Sequence, residues 1–268
     1  WFHQTAVPLF LLLVCPPAVF VFWYINTALG GSFQAFWDLS MQQGLFPTLL
    51  AIWIPVFFGS ATAWKILLVY SAFQLLLMKA IPGKRIYGPV TPKGNIPVYK
   101  DNGIACFAIT IGAFFLGSLG FHWFPASVLY DNLGELLGAL NCFSLGLCLF
   151  LYLKGILAPS SSDHGATGNP IFDYYWGTEL YPLFFGWNIK QFTNCRFGMM
   201  IWPLLLLSYA AAQYNLFGSI SDSMLVAVGL QLIYVGKFFI WERGYLRSLD
   251  IMHDRAGFMI CWGCLVWL

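Results

Sequence analysis

The chain has 268 residues, of which 59% are hydrophobic, 19% aromatic and only 9% charged, and its mean hydropathy is +0.72. Soluble globular proteins carry about 25% charged residues, so the composition excludes an ordinary soluble protein and indicates a polytopic membrane protein. The formal net charge is +2, which gives no reason to expect a nucleic-acid partner.

Six apolar runs are long enough, at about 20 residues each, to cross the hydrocarbon core as helices. The runs are continuously apolar and do not alternate like the strands of a membrane barrel, and an unclosed strand would leave backbone groups unpaired in lipid. The sequence therefore predicts an all-α, polytopic transmembrane helical bundle, with a seventh span starting at Gly257. The predicted spans are 6–29, 62–81, 104–124, 136–157, 197–214 and 223–241.

Prolines change the interpretation of the N-terminal quarter. Run 6–29 lacks the basic start and the cleavage site of a secretory signal, and Pro16 and Pro17 predict a kinked spanning helix there. Stretch 45–60 is divided by Pro47 and Pro55 into pieces too short to span, which predicts an interfacial or re-entrant segment. Because residue 1 is Trp and the last apolar run stops at Leu268, we expect one transmembrane domain, 1–268, truncated at both ends.

Basic residues alternate between the connections. From the first connection to the sixth, with residues at the membrane edges included, the counts of Lys and Arg are 0, 5, 0, 3, 0 and 3. Cytoplasmic connections carry the excess of Lys and Arg in membrane proteins. The pattern places the N-terminus and the connections 82–103, 154–196 and 242–256 in the cytoplasm, and it supports six spans.

The fourth connection carries acidic residues among aromatic ones at the membrane edge. Glu179 stands in a segment that also holds Asp173, Tyr175, Trp176 and Tyr181. An acidic group at this depth is energetically costly unless it is ion-paired or takes part in the protein's function. Glu179 is therefore a candidate proton donor. The alternative is an aromatic belt in which Glu179 caps a helix or pairs with Lys190 or Arg196.

The sixth span and the charged segment after it hold further candidates. Tyr234 and Lys237 share a helix face. A buried phenol at this position either makes an interhelical hydrogen bond or acts as a proton donor. If the helix continues into the cytoplasm, a salt-bridged stripe forms, whose members are Arg243, Arg247, Asp250 and Asp254.

No metal site is predicted, because neither His253 with its two Asp neighbours nor the pair Cys261 and Cys264 has a complete set of ligands. The cysteine pair is read as packing inside a span. Within the charged segment 242–255, Glu242 and His253 are the residues expected to do more than mark a cytoplasmic boundary.

Several long segments resemble the sterol reductase family, and within it the Δ7 (7-dehydrocholesterol) reductases of plants. Leu183 stands where the family usually has Arg. The matching segments are VYKDNG at 98–103, APSSSD at 158–163, GNPIFDYYWGTELYP at 168–182, FTNCRFGMM at 192–200, SDSMLV at 221–226 and HDRAGFMICWGCLVW at 253–267.

The resemblance implies an endoplasmic reticulum enzyme of about ten spans that reduces the C7–C8 double bond of a sterol with NADPH. It places most of the NADPH pocket beyond Leu268, so no cofactor residue is named and the chain alone is expected to be inactive. It also implies a sterol substrate, a lipid bilayer around the protein and other sterol-biosynthesis enzymes as candidate partners.

Reduction of an unpolarised alkene is expected to need an acid and an aromatic wall for the carbocation. Glu179, Tyr234 and Glu242 are the candidate acids. The expected sterol contacts are Asp173, Tyr175, Trp176, Tyr181, Trp241 and His253.

Other functions remain open at this level. A Δ14 or C24(28) reductase would share the same segments, and a non-catalytic sterol-binding protein would keep the fold. A secondary transporter would require intramembrane carboxylates or broken helices in inverted halves, and spans three to five lack charge in their central portions.

Overall fold

The structure is a computed structural model that describes residues 2–267, without the side chain of Asp250. Helices dominate it, and two small antiparallel sheets lie in the connections. The helices, in chain order, are α1 (Val7–Ala28), α2 (Phe33–Gln43), α3 (Leu45–Trp53), α4 (Ala61–Ala80), α5 (Gly103–Phe115), α6 (Val128–Asp131), α7 (Leu133–Leu157), α8 (Pro170–Trp176), α9 (Ile189–Gln191), α10 (Met199–Phe217), α11 (Asp222–Ile240), α12 (Glu242–Tyr245) and α13 (Leu249–Met252). The strands are β1 (Lys84–Tyr87), β2 (Val98–Asp101), β3 (Leu183–Phe184) and β4 (Trp187–Asn188).

Within the described residues, six helical stretches are long and apolar enough to span a membrane, which confirms the all-α prediction and the six spans. Three of them include π-helical or other turns that extend an α-helix at one end. The largest difference from prediction is the fifth span, which starts eight residues early because a π-helical turn, Phe192–Gly198, joins α9 to α10. The spans are Phe2–Ala28, Ala61–Ala80, Gly103–Gly120, Leu133–Leu157, Ile189–Phe217 and Asp222–Ile240.

The segment between the first two spans is a bent helical pair. Phe33–Gln43 and Leu45–Val56 meet at a bend of 113°, and Gly44 between them has a φ of 88°. Helix α2 exposes the rings of Phe33 and Trp37. This geometry agrees with the interfacial or re-entrant segment predicted from the two prolines of stretch 45–60.

Helix α7 lies at the centre of the bundle and packs against α1, α4 and the π-helical segment Phe258–Trp267. Its small residues allow this close packing. Gly138 leaves no room for a Cβ atom beside the carbonyl oxygen of Val56. Asn141 accepts a hydrogen bond from the indole of Trp262 (2.8 Å), which joins α7 to the seventh apolar segment.

The three basic connections meet on one side of the bundle. We call this side the polar face, and it consists of residues 81–102, 158–188 and 241–257. Strands β1 and β2 pair there in antiparallel register, with Lys84 opposite Asp101, and β3 pairs with β4. Connections after the second, fourth and sixth spans must lie on the same side of a membrane, so the contacts between them agree with the alternation of charge.

The charged stripe predicted after the sixth span does not form. Helix α11 ends at Ile240, and α12 and α13 follow as separate short turns, so the residues cannot share one helical face. Arg243 instead pairs with Asp101 (2.6 Å), and Asp254 pairs with His253 (3.0 Å). The side chain of Asp250 lies outside the described part of the structure.

The close contact of Gly138 with the helical turn Ile54–Val56 after α3 predicts a loss of stability when a side chain is added at this position. Gly138→Ala should destabilise the protein by about 1–3 kcal/mol, because the added methyl group meets backbone that cannot move freely. Gly146→Ala on the same helix is the matched control, since nothing lies near its Cβ position. Unfolding by SDS in dodecyl maltoside micelles measures both, and equal stabilities for the two variants would contradict this packing.

Candidate functional site

The polar face is held together by buried side chains that reach across from one connection to another. Asp163 accepts hydrogen bonds from the Thr91 hydroxyl (2.8 Å) and the Asn95 amide (2.6 Å). The buried Lys190 donates to the carbonyl oxygens of Ile251 (2.8 Å) and Asp254. Arg255 also donates to the carbonyl oxygen of Gly165, so bonds connect all three segments of the face and its side chains occupy defined positions.

Glu179 is buried and ion-paired. Its carboxylate accepts from Lys154 Nζ (2.8 Å) and from the backbone N–H of Ser160 (2.6 Å), while its own carbonyl accepts from Ala256 N (3.0 Å). The partner is therefore Lys154 at the end of α7, and the alternative pairing with Lys190 or Arg196 is wrong. Lys154 lies one helical turn before the end of α7, which is close enough to reach back over the connection.

Asp173 and Tyr181 are also buried in the polar face. Asp173 accepts from the backbone N–H and the hydroxyl of Thr167, at 2.9 and 2.8 Å, which closes the loop before α8. The ring of Tyr181 meets Tyr99 edge-on at 6.4 Å, and Lys190 lies 5.3 Å from its centre. Burial raises the pKa values of both phenols above their usual range.

Glu242 forms the most deeply buried ion pair of the described residues. Arg196 binds its two carboxylate oxygens at 2.5 and 3.1 Å, and both side chains have 0% exposure. The same guanidinium donates to Asn102 Oδ1 (2.8 Å). A Cβ atom on Gly103 would clash with the Glu242 carboxylate, so this anion sits directly at the N-terminus of α5, where a helix favours negative charge.

A π-helical turn positions Arg196 for this pair. Segment Phe192–Gly198 has the wider π-helical geometry, and such turns occur frequently at functional sites. The hydroxyl of Tyr70, on α4, donates to the carbonyl oxygens of Arg196 (3.3 Å) and Phe197 (3.1 Å). These backbone groups are therefore satisfied by a side chain from another span.

Three of the candidate sterol contacts lie together around α8. The ring of Trp176 is 5.8 Å from that of His253 and 5.0 Å from the guanidinium carbon of Arg255. The ring of Tyr175 is 6.1 Å from Phe258. His253 itself is 69% exposed, so this cluster opens at the surface of the polar face.

Tyr234 is on the outer face of α11, and Trp241 is the residue directly after that helix. They are 60% and 72% exposed, and little of this span is buried by the other described residues. The ring of Tyr234 touches Trp202 (5.8 Å), and Lys237 lies 6.0 Å from the ring of Trp241. Tyr234 is not buried as the sequence predicted, because apart from its contact with Trp202 most of its side of α11 is left uncovered by the other described helices.

The predicted site residues therefore form separate groups. Glu179, Asp173 and Tyr181 lie inside the polar face, and Tyr175, Trp176 and His253 lie near α8. Tyr234 is on α11, and Trp241 directly follows that helix. In the described part of the chain, no group of three His, Cys, Asp or Glu residues could hold a metal ion. The main residue missed as a site member was Arg196, although a lone Arg beside an apolar span was a signal that it needs a buried carboxylate.

Comparisons with known proteins decide the family. A model described as "Ergosterol biosynthesis ERG4/ERG24 family" matches residues 17–268. The chain belongs to this family. It is 49% identical over 263 residues to a 7-dehydrocholesterol reductase of Arabidopsis thaliana, covering 96% of this chain and 59% of the relative.

Two further relatives of the ERG4/ERG24 family carry different reductase names. A Delta(14)-sterol reductase of Methylotuvimicrobium alcaliphilum is 35% identical, over 97% of this chain and 58% of the relative. A 7-dehydrocholesterol reductase of Danio rerio is 36% identical, over 82% of this chain and 49% of the relative. The chain thus spans between about half and three fifths of the length of these curated relatives.

The ion pair of Arg196 with Glu242 predicts a large effect of a small substitution. Glu242→Gln should cost about 3–5 kcal/mol of stability, because it leaves the buried guanidinium without a counter-charge. Asp101→Asn is the control, since its partner Arg243 is 57% exposed and a surface pair contributes less than about 1 kcal/mol. Unfolding in SDS and dodecyl maltoside micelles compares them, and a Glu242→Gln loss as small as that of the control would refute the buried pair.

Proposed function

We propose that this chain is part of an NADPH-dependent enzyme that reduces a ring double bond of a sterol. The observation that carries the proposal is the match of the ERG4/ERG24 family to residues 17–268, together with the reductase names of its relatives. The reaction adds a proton to one alkene carbon and a hydride to the other, so both electrons come from the hydride donor. The product is the saturated C–C bond.

The C7–C8 bond is the proposed target. Identity to the 7-dehydrocholesterol reductase of Arabidopsis thaliana is 49%, against 35% for the Delta(14)-sterol reductase of Methylotuvimicrobium alcaliphilum, over nearly the same share of this chain. A Δ14 reductase is the second candidate because that relative matches across 97% of the chain. Both candidates require the same kind of proton donor.

Tyr234 is the proposed acid. Glu179 and Glu242 accept hydrogen bonds within ion pairs, and each would have to leave its partner and take up a proton before it could donate one. A tyrosine hydroxyl carries its own proton. Tyr234 is also exposed among the described residues, on the outer face of α11, and Glu242, two residues beyond α11, positions the cytoplasmic end of that helix through Arg196.

The proposed sterol contacts follow from aromatic side chains near the polar face. Tyr175, Trp176 and Trp241 present π faces that can stabilise a carbocation. Trp176 and Trp241 lie on different elements, α8 and the end of α11, so a substrate that touches both would extend across the face. Asp173 and Tyr181 would act indirectly, by holding the loop beside α8 in place. His253 would contact the sterol at the edge of the polar face.

NADPH is proposed as the hydride donor on family grounds, and the described residues do not fit it. A dinucleotide phosphate binds at an open helix N-terminus with a glycine-rich turn. The N-terminus of α5, at Asn102 and Gly103, is filled by the carboxylate of Glu242, and the buried cations Arg196 and Lys190 already have partners. No residue is therefore assigned to NADPH, and no step is derived through it.

We place the protein in the endoplasmic reticulum membrane, as one domain across 1–268 with its N-terminus in the cytoplasm. The charge pattern of the connections supports this orientation, because eleven of the thirteen Lys and Arg residues belong to the connections after spans two, four and six. The lipid bilayer surrounds the protein, and a sterol is its substrate. Other sterol-biosynthesis enzymes are proposed partners because product and substrate are poorly soluble in water.

A reductase assay tests the function. The complete protein in lipid nanodiscs, given 7-dehydrocholesterol and NADPH, should abolish the absorbance of the conjugated diene as the C7–C8 bond is reduced. A Δ14-unsaturated sterol under the same conditions is the comparison. Turnover of the Δ14 substrate alone would replace the first candidate by the second, and turnover of neither would reject both.

The acid is tested by removing one oxygen atom. Tyr234→Phe should lower kcat about 10²- to 10⁴-fold, since that is the usual contribution of a positioned acid, and sterol binding should be unchanged. Tyr214→Phe is the matched control, because Tyr214 is also an exposed tyrosine in a spanning helix. The assay above measures both rates, and an unaltered kcat for Tyr234→Phe would rule out the phenol as proton donor.

A further inference from the structure

An apolar hairpin stands at the edge of the polar face. Strands β3 and β4 are joined by Phe185 and Gly186, and we call residues 183–188 the apolar hairpin. Leu183, Phe184 and Phe185 follow one another and are all exposed, Phe185 to 77%. A run of three exposed apolar residues is unfavourable in water unless it has a function. The hairpin is therefore a candidate contact surface.

The turn of the hairpin holds Phe185 in a conformation that a bulky residue rarely adopts. The φ angles of Phe185 and Gly186 are 48° and 83°, both in the left-handed region. Two-residue hairpin turns often need positive φ at both positions, which Asn-Gly supplies at little cost, whereas a bulky residue there is a strained outlier. In the described structure the ring of Phe185 meets that of Phe184 (4.5 Å) and stays mostly exposed. Core packing therefore does not offset the strain, which indicates that the ring has another contact.

The apolar hairpin lies level with the last turns of two spans. The indole N–H of Trp187 donates to the carbonyl oxygen of Leu75 on α4 (3.1 Å), and the ring of Phe184 packs against that of Phe150 on α7 (5.1 Å). Leu75 and Phe150 each lie four residues before the last Lys of their helix, which is about 6 Å along an α-helix. With these Lys residues at the membrane edge, the hairpin lies within the roughly 5–10 Å over which interfacial segments insert between headgroups and acyl chains.

The hairpin also continues the apolar surface of α7. Leu149, Phe150 and Leu153 are exposed on this span, and uncovered apolar residues of a spanning helix match the hydrocarbon core. Phe184 contacts Phe150, and Phe185 contacts Phe184. These ring contacts join the turn of the hairpin to the surface of the span in one apolar area.

The backbone of the hairpin has partners that suit an apolar environment, where unpaired groups are costly. Strands β3 and β4 pair with each other. The hydroxyl of Ser160 accepts from the backbone N–H of Leu183 (2.8 Å) and donates to its carbonyl oxygen (3.2 Å). The same hydroxyl accepts from Lys154 Nζ (2.7 Å), which also binds Glu179. The hairpin is thereby tied to a buried ion pair of the polar face.

We propose that the apolar hairpin is a lipid anchor, which inserts the ring of Phe185 between the headgroups and acyl chains of the leaflet beside the polar face. Contact with lipid accounts for the exposure of the ring and for the strain of its backbone. The anchor holds the connection that contains Glu179 at a fixed depth. The inference rests on the spans and not on the proposed reduction, so the two are tested separately.

Site-specific cross-linking tests the anchor. The complete protein, with 4-benzoylphenylalanine in place of Phe185, is reconstituted in phosphatidylcholine nanodiscs and irradiated, and adducts are mapped by mass spectrometry. The peptide that contains position 185 should carry a phospholipid. The same replacement of Leu149, on the exposed surface of α7, is the positive control. Replacement of Lys93, whose side chain contacts the carbonyl oxygen of His164 on the polar face (3.1 Å), should give no lipid adduct.

A second experiment separates the ring from the fold of the turn. With the cross-linking residue at Leu183, Phe185→Asn removes the ring and keeps a residue that adopts the left-handed conformation. The lipid adduct at position 183 should fall at least about fivefold, because the ring no longer buries apolar area in the membrane. Phe217→Asn is the matched control at an exposed Phe far along the chain, at the end of α10, and should leave the adduct unchanged.

Three results would overturn the anchor. The first is the absence of a lipid adduct at position 185 while the adduct at Leu149 forms. The second is an adduct of position 185 with another peptide, which would show that protein covers the hairpin. The third is an unchanged adduct at position 183 in Phe185→Asn. Turnover in the reductase assay bears on none of these, so failure of the proposed function would leave the anchor in place.

Discussion

The buried ion pair between Arg196 and Glu242 determines how the spans join at the polar face. Desolvation of two charges costs several kcal/mol per ion and is offset only by close geometry and further hydrogen bonds. Here the carboxylate is bound at both oxygens, the guanidinium also reaches Asn102, and Gly103 leaves room for the anion. The pair thereby fixes the start of α5, the π-helical turn before α10 and the end of α11 relative to one another.

This use of charge restricts the chemistry available to the same residues. Glu179 and Glu242 both hold connections in place through cations from other elements, Lys154 and Arg196. A carboxylate in that role is an acceptor, so under the proposed function a different group donates the proton. Tyr234 is the group proposed for it, and the pair anchors the helix of Tyr234 through Glu242, two residues beyond the end of α11.

The sequence allowed the spans to be predicted because apolar length alone determines which segments can cross a bilayer. Their ends were harder to predict, since the π-helical turn Phe192–Gly198 carries Arg196 into the span that was expected to start at 197. The same limit explains the missing stripe after 241, where α11 stops at Ile240. Candidate site residues were found by type, but their grouping depends on contacts such as that of Lys154 with Glu179, which no local pattern encodes.

Tyr70 links the apolar interior of the bundle to the residues beside its charged face. Tyr70 lines a cavity of about 450 Å³ between α4, α5, α6 and α10 and also a second cavity of about 240 Å³ beside α1 and α7. Its hydroxyl is fixed by two carbonyl oxygens of the π-helical turn, and its ring packs edge-on against Phe197 at 5.1 Å. Displacement of the ring into either space would break the hydrogen bonds beside Arg196, so the position of α4 and the geometry of the π-helical turn depend on each other through Tyr70.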